Sequence, residues 1–251
     1  TPIILSKTIK KNAKENDIKV ASMDDELIFG KTIYELKFSE AIKRNLLSDY
    51  KVEIIGVNNK KVEEQILRRE IISINNEYIS NAELLATKIA LIKSIKENNL
   101  RRVITFHGRV DAAKKFSEDF DQILDIIPQN QKPLGKINCD YVSGNMNSYT
   151  RTKKISKLKT ISNHETNILS NARCLSEGVD VPALDGVAFI DPKSSQIDIV
   201  QSVGRALRRS LEKKESIIII PVFIDKNDIA EDEIERSDYE VIWNILKALR
   251  S

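Results

Sequence analysis

The sequence predicts an α/β protein in which helices cover both faces of a mostly parallel β-sheet, making three layers. Apolar strand-like segments alternate with amphipathic helix-like segments from about residue 81 to the end of the chain. The strand-like segments are short and apolar, as is typical of strands buried on both faces. A chain of 251 residues with 41% hydrophobic residues is also large enough to bury a core of this kind.

The predicted elements follow one another in a regular order after residue 81. Helices are predicted over residues 81–98, 111–127, 149–158, 196–209 and 237–249. Strands are predicted over residues 102–107, 138–143, 167–171, 187–190 and 216–224. Because parallel strands end at the same edge of a sheet, we expect ligands at their carboxyl ends.

The first 80 residues follow a different pattern. Residues 21–30 are polar, residues 39–47 predict a capped helix, and residues 50–57 form an apolar strand-like run. Nothing in this part closes a sheet by itself. We therefore divide the chain into an N-terminal extension over residues 1–60 and a main domain over residues 61–251.

Charge is unevenly distributed although the net charge is only +3. Residues 131–160 contain seven Lys and Arg residues against one acid, whereas residues 225–240 contain eight acids against two bases. A basic tract of this kind fits contact with a nucleic-acid backbone, and a solvated helix face is the alternative reading. The acidic tract is more typical of a soluble surface or a contact between domains.

Cysteine and histidine are scarce, with two of each: Cys139, Cys174, His107 and His164. They are too scattered for a zinc site or a disulfide framework, so we expect no resident metal. No apolar run is long enough to span a membrane, and the N-terminus lacks the pattern of a secretion signal. These features lead us to expect a soluble cytoplasmic protein without a membrane partner.

A cationic face stands out near residue 205. On a helix, Gln201, Arg205 and Arg208 lie at positions i, i+4 and i+7 and so share one side. Gly204 lies beside them and adds no side chain, which allows a large ligand to approach. Two neighbouring guanidinium groups suit a polyphosphate because each binds phosphate oxygens in a two-pronged geometry.

Residues 171–182 and 201–208 resemble the last two signature motifs of superfamily 2 helicases and DNA translocases, in their second RecA-like domain. The resemblance implies a RecA-like three-layer sandwich. It also implies that Arg205 and Arg208 reach the γ-phosphate of ATP, bound with Mg²⁺ mainly by a first RecA-like domain of the same polypeptide. Gln201 and Gly204 would then lie on the nucleotide side.

The segment after the strand 167–171 carries the other half of this resemblance. By resemblance, Asp180 contacts the ATP ribose, and Gly178 permits the turn that places it there. A simple turn role for Asp180 is the alternative.

Nucleic-acid contacts are implied at three strand ends of the same family pattern. Residues 101–110 resemble the strand-to-turn motif that opens this domain, and His107 could instead be a structural histidine. The residues implied to face nucleic acid, with DNA the favoured partner, are Thr105, His107, Arg109, Ser143, Gly144, Arg151, Ser170, Asn171 and Arg173.

Two other segments imitate ATP-binding motifs without satisfying them. The Gly-Lys-Thr at residues 30–32 lacks the glycine that a phosphate loop needs five positions earlier, where Asp25 stands. The acids at residues 24–26 follow a segment too polar for a buried strand. The chain therefore has neither a Walker A nor a Walker B motif, which the family keeps in its first domain, and we expect the isolated chain to hydrolyse no ATP.

The favoured interpretation is the C-terminal motor half of an ATP-dependent DNA helicase or translocase. Segments near residues 24–26, 38–42 and 47–50 resemble the connector between the domains of large bacterial restriction-type and phage-defence helicases. A non-hydrolytic RecA-like module that only binds nucleic acid is the alternative. A domain for a small nucleotide is disfavoured because the chain has no Gly-x-Gly-x-x-Gly turn.

Overall fold

A single six-stranded sheet forms the centre of the protein, for which the computed structural model describes residues 5, 7–57, 82–118, 120–159, 162, 164–172, 184–192, 195–209, 215–223 and 234–250. The strands are β1 Asp49–Val57, β2 Arg102–His107, β3 Lys136–Ser143, β4 Glu165–Ala172, β5 Gly186–Phe189 and β6 Glu215–Phe223. Their order across the sheet is β1-β6-β5-β2-β4-β3, and every neighbouring pair is parallel. All six strands therefore begin at one edge, the amino edge, and end at the opposite, carboxyl edge.

Helices cover both faces of this sheet. They are α1 Lys7–Glu15, α2 Glu26–Phe29, α3 Phe38–Lys43, α4 Ala82–Glu97, α5 Val110–Glu118, α6 Phe120–Ile126, α7 Ser148–Lys159, α8 Gln196–Ala206 and α9 Glu240–Arg250. Apolar side chains of α7, α8 and α9 form one core with the sheet, and those of α4, α5 and α6 form a second core on the other face. The predicted α/β three-layer sandwich is confirmed.

Strand β2 shows why the strand segments read as continuous apolar runs. Val103 belongs to the core under α4 and α5, whereas Ile104 and Phe106 belong to the core under α7 and α8. Phe106 stacks on Phe189 of β5 with ring centroids 5.5 Å apart. Burying a side chain of this size contributes about 1.5–3 kcal/mol, so apolar residues are favoured at every position of a central strand.

The edge strand β1 lies in the part of the chain that we assigned to an N-terminal extension. It pairs with β6 over its whole length, from Asp49 beside Glu215 to Val57 beside Phe223. The Tyr50 hydroxyl donates to the Leu246 carbonyl of α9 at 3.0 Å. This strand therefore belongs to the sheet domain, and a division at residue 60 cuts through that domain. The partner strand β6 lies about 165 residues later in the chain, so local sequence gives no sign of the pairing.

Helix α8 ends against the amino edge of the sheet. The Ser216 hydroxyl donates to the Ala206 carbonyl at 2.8 Å, and Ser48 donates to the Leu207 carbonyl through its backbone N–H and its hydroxyl, at 2.8 and 3.1 Å. The two hydroxyl oxygens lie 3.1 Å apart in a fully buried position. Carbonyls at a helix C-terminus need such partners because they have none within the helix.

These contacts correct the predicted helix over residues 196–209. The helix ends at Ala206, with Leu207 as its C-cap, so Arg208 lies beyond the helix instead of occupying position i+7 on its face. The Arg208 N–H still bonds the Arg205 carbonyl at 3.5 Å, which keeps the two arginines close in the chain fold.

Replacing the buried serine of β6 tests this cap. We expect Ser216→Ala to lower the free energy of unfolding by about 1–3 kcal/mol, since a buried hydrogen bond to the helix end is removed. Urea unfolding followed by circular dichroism measures the change. Ser156→Ala is the matched control because its exposed hydroxyl bonds only within its own helix, and an equal effect of both variants would contradict the prediction.

Candidate nucleotide and nucleic-acid site

Arg205 lies in the last turn of α8, partly buried, and Arg208 follows it in an exposed position. Burial lowers the pKa of Arg205, and the positive charge of Arg208 lowers it further. Two like charges are thus held within interaction range at one helix end. Such an arrangement is stabilised when an anion with more than one negative charge binds between the guanidinium groups.

Gln201 and Gly204 lie on the same helix, one turn and one residue before Arg205. The Gln201 Oε1 atom is buried and accepts no hydrogen bond from any residue that the structure describes. A Cβ atom on Gly204 would lie 3.7 Å from the ring of Phe38, which is ordinary packing distance. The space beside Gly204 is therefore occupied by α3, and the unsatisfied Gln201 oxygen is the stronger sign of a missing polar partner.

The arginine pair lies at the amino edge of the sheet. Helix α8 ends beside Ser48 and Ser216, which stand where β1 and β6 begin. We expected ligands at the carboxyl ends of the strands, whereas this pair lies at the opposite edge. The reason is that α8 runs back across the sheet after β5, so residues at its end return to the edge where strands start.

At the carboxyl edge, three of the predicted residues contact one another. Thr105 Oγ1 lies 2.9 Å from His107 Nε2 and donates to the Ser170 hydroxyl at 3.1 Å. Thr105 and Ser170 are fully buried, and His107 is 2% exposed. The sequence suggested that their side chains face a sugar-phosphate chain, but the structure shows them bonded to each other, tying the ends of β2 and β4 together.

The pKa of the His107 ring is strongly shifted. Burial lowers its pKa from 6.5 to about 4, with Asp191 opposing the shift and Lys88 adding to it. The neutral ring donates through Nε2 to Thr105, and it packs on Phe116 with centroids 4.9 Å apart. The structural reading of this histidine, left open by the sequence, fits its burial and its contacts.

Two charged residues near His107 were missed by sequence reasoning. Lys88 of α4 is 1% exposed, with its Nζ 5.0 Å from the centre of the Phe116 ring. Asp191, just after β5, accepts the Gly108 N–H at 2.8 Å through Oδ2. Asp191 directly follows a predicted strand, and this position could have identified it as a candidate site residue. The helical pattern does not distinguish Lys88 from a surface lysine.

The remaining described residues at the carboxyl edge divide into buried and exposed groups. Ser143 and Asn171 are each 2% exposed. Gly144 is exposed, and a Cβ atom there would meet nothing within 4 Å. Arg109 has an exposed side chain, with its Nε 3.6 Å from Oδ1 of Asp111. Arg151 donates through Nη2 to the Ser148 hydroxyl at 3.3 Å. Of the two predicted cations at this edge, Arg109 is exposed and Arg151 is half-buried.

Three predicted site residues, Arg173, Gly178 and Asp180, lie outside the described residues. They belong to the stretch that joins Ala172, at the carboxyl end of β4, to Leu184, just before the amino end of β5. Its roles stay predictions.

Metal-binding clusters and membrane-spanning helices are both absent from the described part of the chain. No group of three or more His, Cys, Asp or Glu residues there could hold a metal ion. None of the helices that the structure describes is both long enough and apolar enough to cross a membrane.

The pKa of His107 predicts how stability depends on pH. Below pH 6.5 the unfolded chain binds a proton at this ring that the native state refuses until about pH 4, so stability should fall as pH falls through that window, by at most about 3 kcal/mol. His107→Gln should flatten this dependence in urea unfolding measured from pH 7 to pH 4. His164→Gln, at an exposed position, is the control. Identical slopes for His107→Gln and the unchanged protein would refute the assignment.

The chain is similar to proteins named as helicases and restriction enzymes. A probable helicase of African swine fever virus is 23% identical over 84% of this chain, which spans only 22% of that protein's length. The solved structure of the ATP-dependent Type ISP restriction-modification enzyme LlaBIII bound to DNA is similar over 92% of this chain and 16% of its own, with 29% identity and a TM-score of 0.76. A fragment assigned to the HsdR subunit of a type I restriction enzyme from Vibrio vulnificus shares the fold at 18% identity, with 81% and 38% coverage and a TM-score of 0.56.

The family match covers residues 83–210, from the start of α4 to just past the arginine pair. It therefore includes the strands β2 to β5, helix α8 and the buried hydroxyl network, which is the hydrogen-bonded group of Thr105, His107 and Ser170. On this match, together with the all-parallel sheet, the chain belongs to the family of the helicase conserved C-terminal domain.

Proposed function

We propose that this chain is the C-terminal motor half of an ATP-dependent DNA helicase or translocase, which supplies arginine fingers and contacts to the nucleic-acid backbone. The arginine pair carries the proposal: Arg205 and Arg208 stand together at the end of α8, and the buried Gln201 oxygen nearby accepts no hydrogen bond from any described residue. The similarity to a restriction-modification enzyme that is bound to DNA supports the choice of DNA as substrate.

The arginine pair would act on a nucleotide held mainly by another domain. ATP with Mg²⁺, when bound there, supplies the phosphoryl group that is transferred to water. Arg205 is positioned rigidly because α8 is capped by Ser48 and Ser216, and its guanidinium would neutralise charge on the γ-phosphate oxygens. Arg208, outside the helix and exposed, would close onto the same phosphate from a more adaptable position.

The carboxyl edge would hold the nucleic acid. The hydroxyl network of Thr105, His107 and Ser170 fixes the ends of β2 and β4, so that exposed groups around them keep a constant spacing. Arg109 and Arg151 would contact phosphates directly. Contacts to phosphates position a protein on nucleic acid without reading its sequence, as a translocating motor requires.

Substituting the arginine fingers tests the proposal in a polypeptide that contains both motor domains. We expect Arg205→Ala and Arg208→Ala each to reduce DNA-stimulated phosphate release by about 10³–10⁵-fold, since the transition-state charge is left without its cation. Arg205→Lys should recover only part of the rate because a lysine lacks the two-pronged geometry. DNA binding, measured in parallel, should persist in all three variants.

Arg209→Ala is the matched control for this series. Arg209 is adjacent in sequence and equally cationic, but its Nη1 donates to the Asn45 carbonyl at 2.6 Å and so serves the contact with the turn before β1. Its ATP turnover should stay within a few-fold of the unchanged protein. Near-normal turnover of Arg205→Ala would eliminate the finger assignment and favour a module that only binds nucleic acid.

The carboxyl-edge cations can be tested by salt dependence. We expect Arg109→Ala and Arg151→Ala each to lower the slope of log affinity against log salt concentration by about 1, because each removes a phosphate contact. Fluorescence anisotropy with a labelled oligonucleotide measures the slope. Lys136→Ala is the control, since Lys136 is exposed at the start of β3 on the opposite edge. An unchanged slope in both arginine variants would exclude these contacts.

A further inference from the structure

The loop after β3 and the first turn of α7 form an exposed polar surface at the carboxyl edge. Residues 144 and 145 are exposed, and Asn147 caps the helix by accepting the Thr150 N–H through its side-chain oxygen at 2.8 Å. Ile155 and Leu158 anchor the helix in the core. The first turn of α7 is therefore held rigidly while its outer face stays open to solvent.

Tyr149 lies in this first turn and is 78% exposed. No described residue bonds its hydroxyl, and no described aromatic ring stacks on it. Tyr34, also exposed among the described tyrosines, instead accepts a hydrogen bond from Arg44 through its hydroxyl at 3.2 Å. Both the ring face and the polar end of Tyr149 are thus available to a ligand.

The charges around Tyr149 indicate the chemistry of that ligand. Helix α7 contains five Lys and Arg residues and no acid. Lys154 is held by Asp140 at 2.5 Å, but Lys153 is exposed and makes no ion pair with a described residue. Arg151 reaches only the Ser148 hydroxyl of its own helix. Lys153 lies one turn after Tyr149 on the same side of the helix, so a flat aromatic face stands beside an exposed cation. This pairing matches a chain that carries both phosphates and unpaired bases.

We propose that Tyr149 is a base-stacking platform and that the carboxyl edge binds a single strand of nucleic acid. This inference rests on the proposed function, and it adds the form of the substrate: Arg151 and Lys153 contact phosphates while an unstacked base lies on the tyrosine ring. A duplex offers its phosphates to the same cations, but its bases are stacked inside and cannot reach the ring.

The test measures anisotropy of three labelled probes of equal length on the whole chain: a thymidine strand, a strand of abasic sites, and a duplex. Tyr149→Ala should weaken binding of the thymidine strand by about tenfold, the expected scale for one stacked base, and leave the abasic strand and the duplex unchanged. Tyr149→Phe should retain the affinity because the ring remains. Leu134→Ala, which removes a 93% exposed apolar side chain near the start of β3, should have no effect.

The outcomes separate this inference from the proposed function. Equal weakening of all three probes by Tyr149→Ala, or no weakening of the thymidine strand, would overturn the stacking platform. In either case the salt slopes and the ATP turnover of the arginine variants would still stand as support for the motor function. Failure of the unchanged chain to bind any probe at low salt would overturn both the platform and the proposed DNA contacts.

Discussion

Parallel pairing of all six strands is the constraint on which the rest of this structure depends. It forces every connection to cross the sheet, which places helices on both faces and returns the chain repeatedly to the amino edge. The two candidate ligand regions follow from it. Strand ends bring the contacts of Thr105, His107 and Ser170, with the cations that follow β2 and begin α7, to one edge, while the end of α8 carries the arginine pair to the other.

Under the proposed function, the separation of the two regions requires a physical connection between them. A motor must convert a change at a nucleotide into a change in its hold on a track, so both regions must belong to one rigid body or be joined by one segment. Helix α8 packs on the central strands through Ile199 and Val203. This helix lies within the helicase family match.

The sequence was sufficient for the strands after residue 81 because burial on both faces leaves a strong pattern, but the single helix predicted over residues 111–127 is two helices, α5 and α6. Long runs such as the four isoleucines of β6 can only be core strands. It was insufficient where distant residues decide. The end of α8 depends on Ser48 and Ser216, which no local pattern connects, and the place of β1 in the sheet depends on pairing with β6.

The candidate site shows the same division. The resemblance pointed to strand ends that the structure brings to one edge of the sheet. Thr105 and Ser170 could not be recognised as buried, since a hydroxyl at a strand end can turn toward a neighbour or toward solvent. The burial of Lys88 could not be predicted, because a helical pattern does not distinguish a buried lysine from a surface lysine. For Arg173, Gly178 and Asp180, all outside the described residues, the resemblance remains the whole basis of their assignment.

Pairing between β1 and β6 has a consequence for biogenesis. The ribosome synthesises β1 about 165 residues before β6. The backbone N–H and C=O groups of β1 therefore stay unpaired with β6 until most of the domain has been translated. Contacts of such long sequence separation slow folding. Nascent chains that stall before residue 215 would consequently expose an unpaired, aggregation-prone strand and would be bound by chaperones.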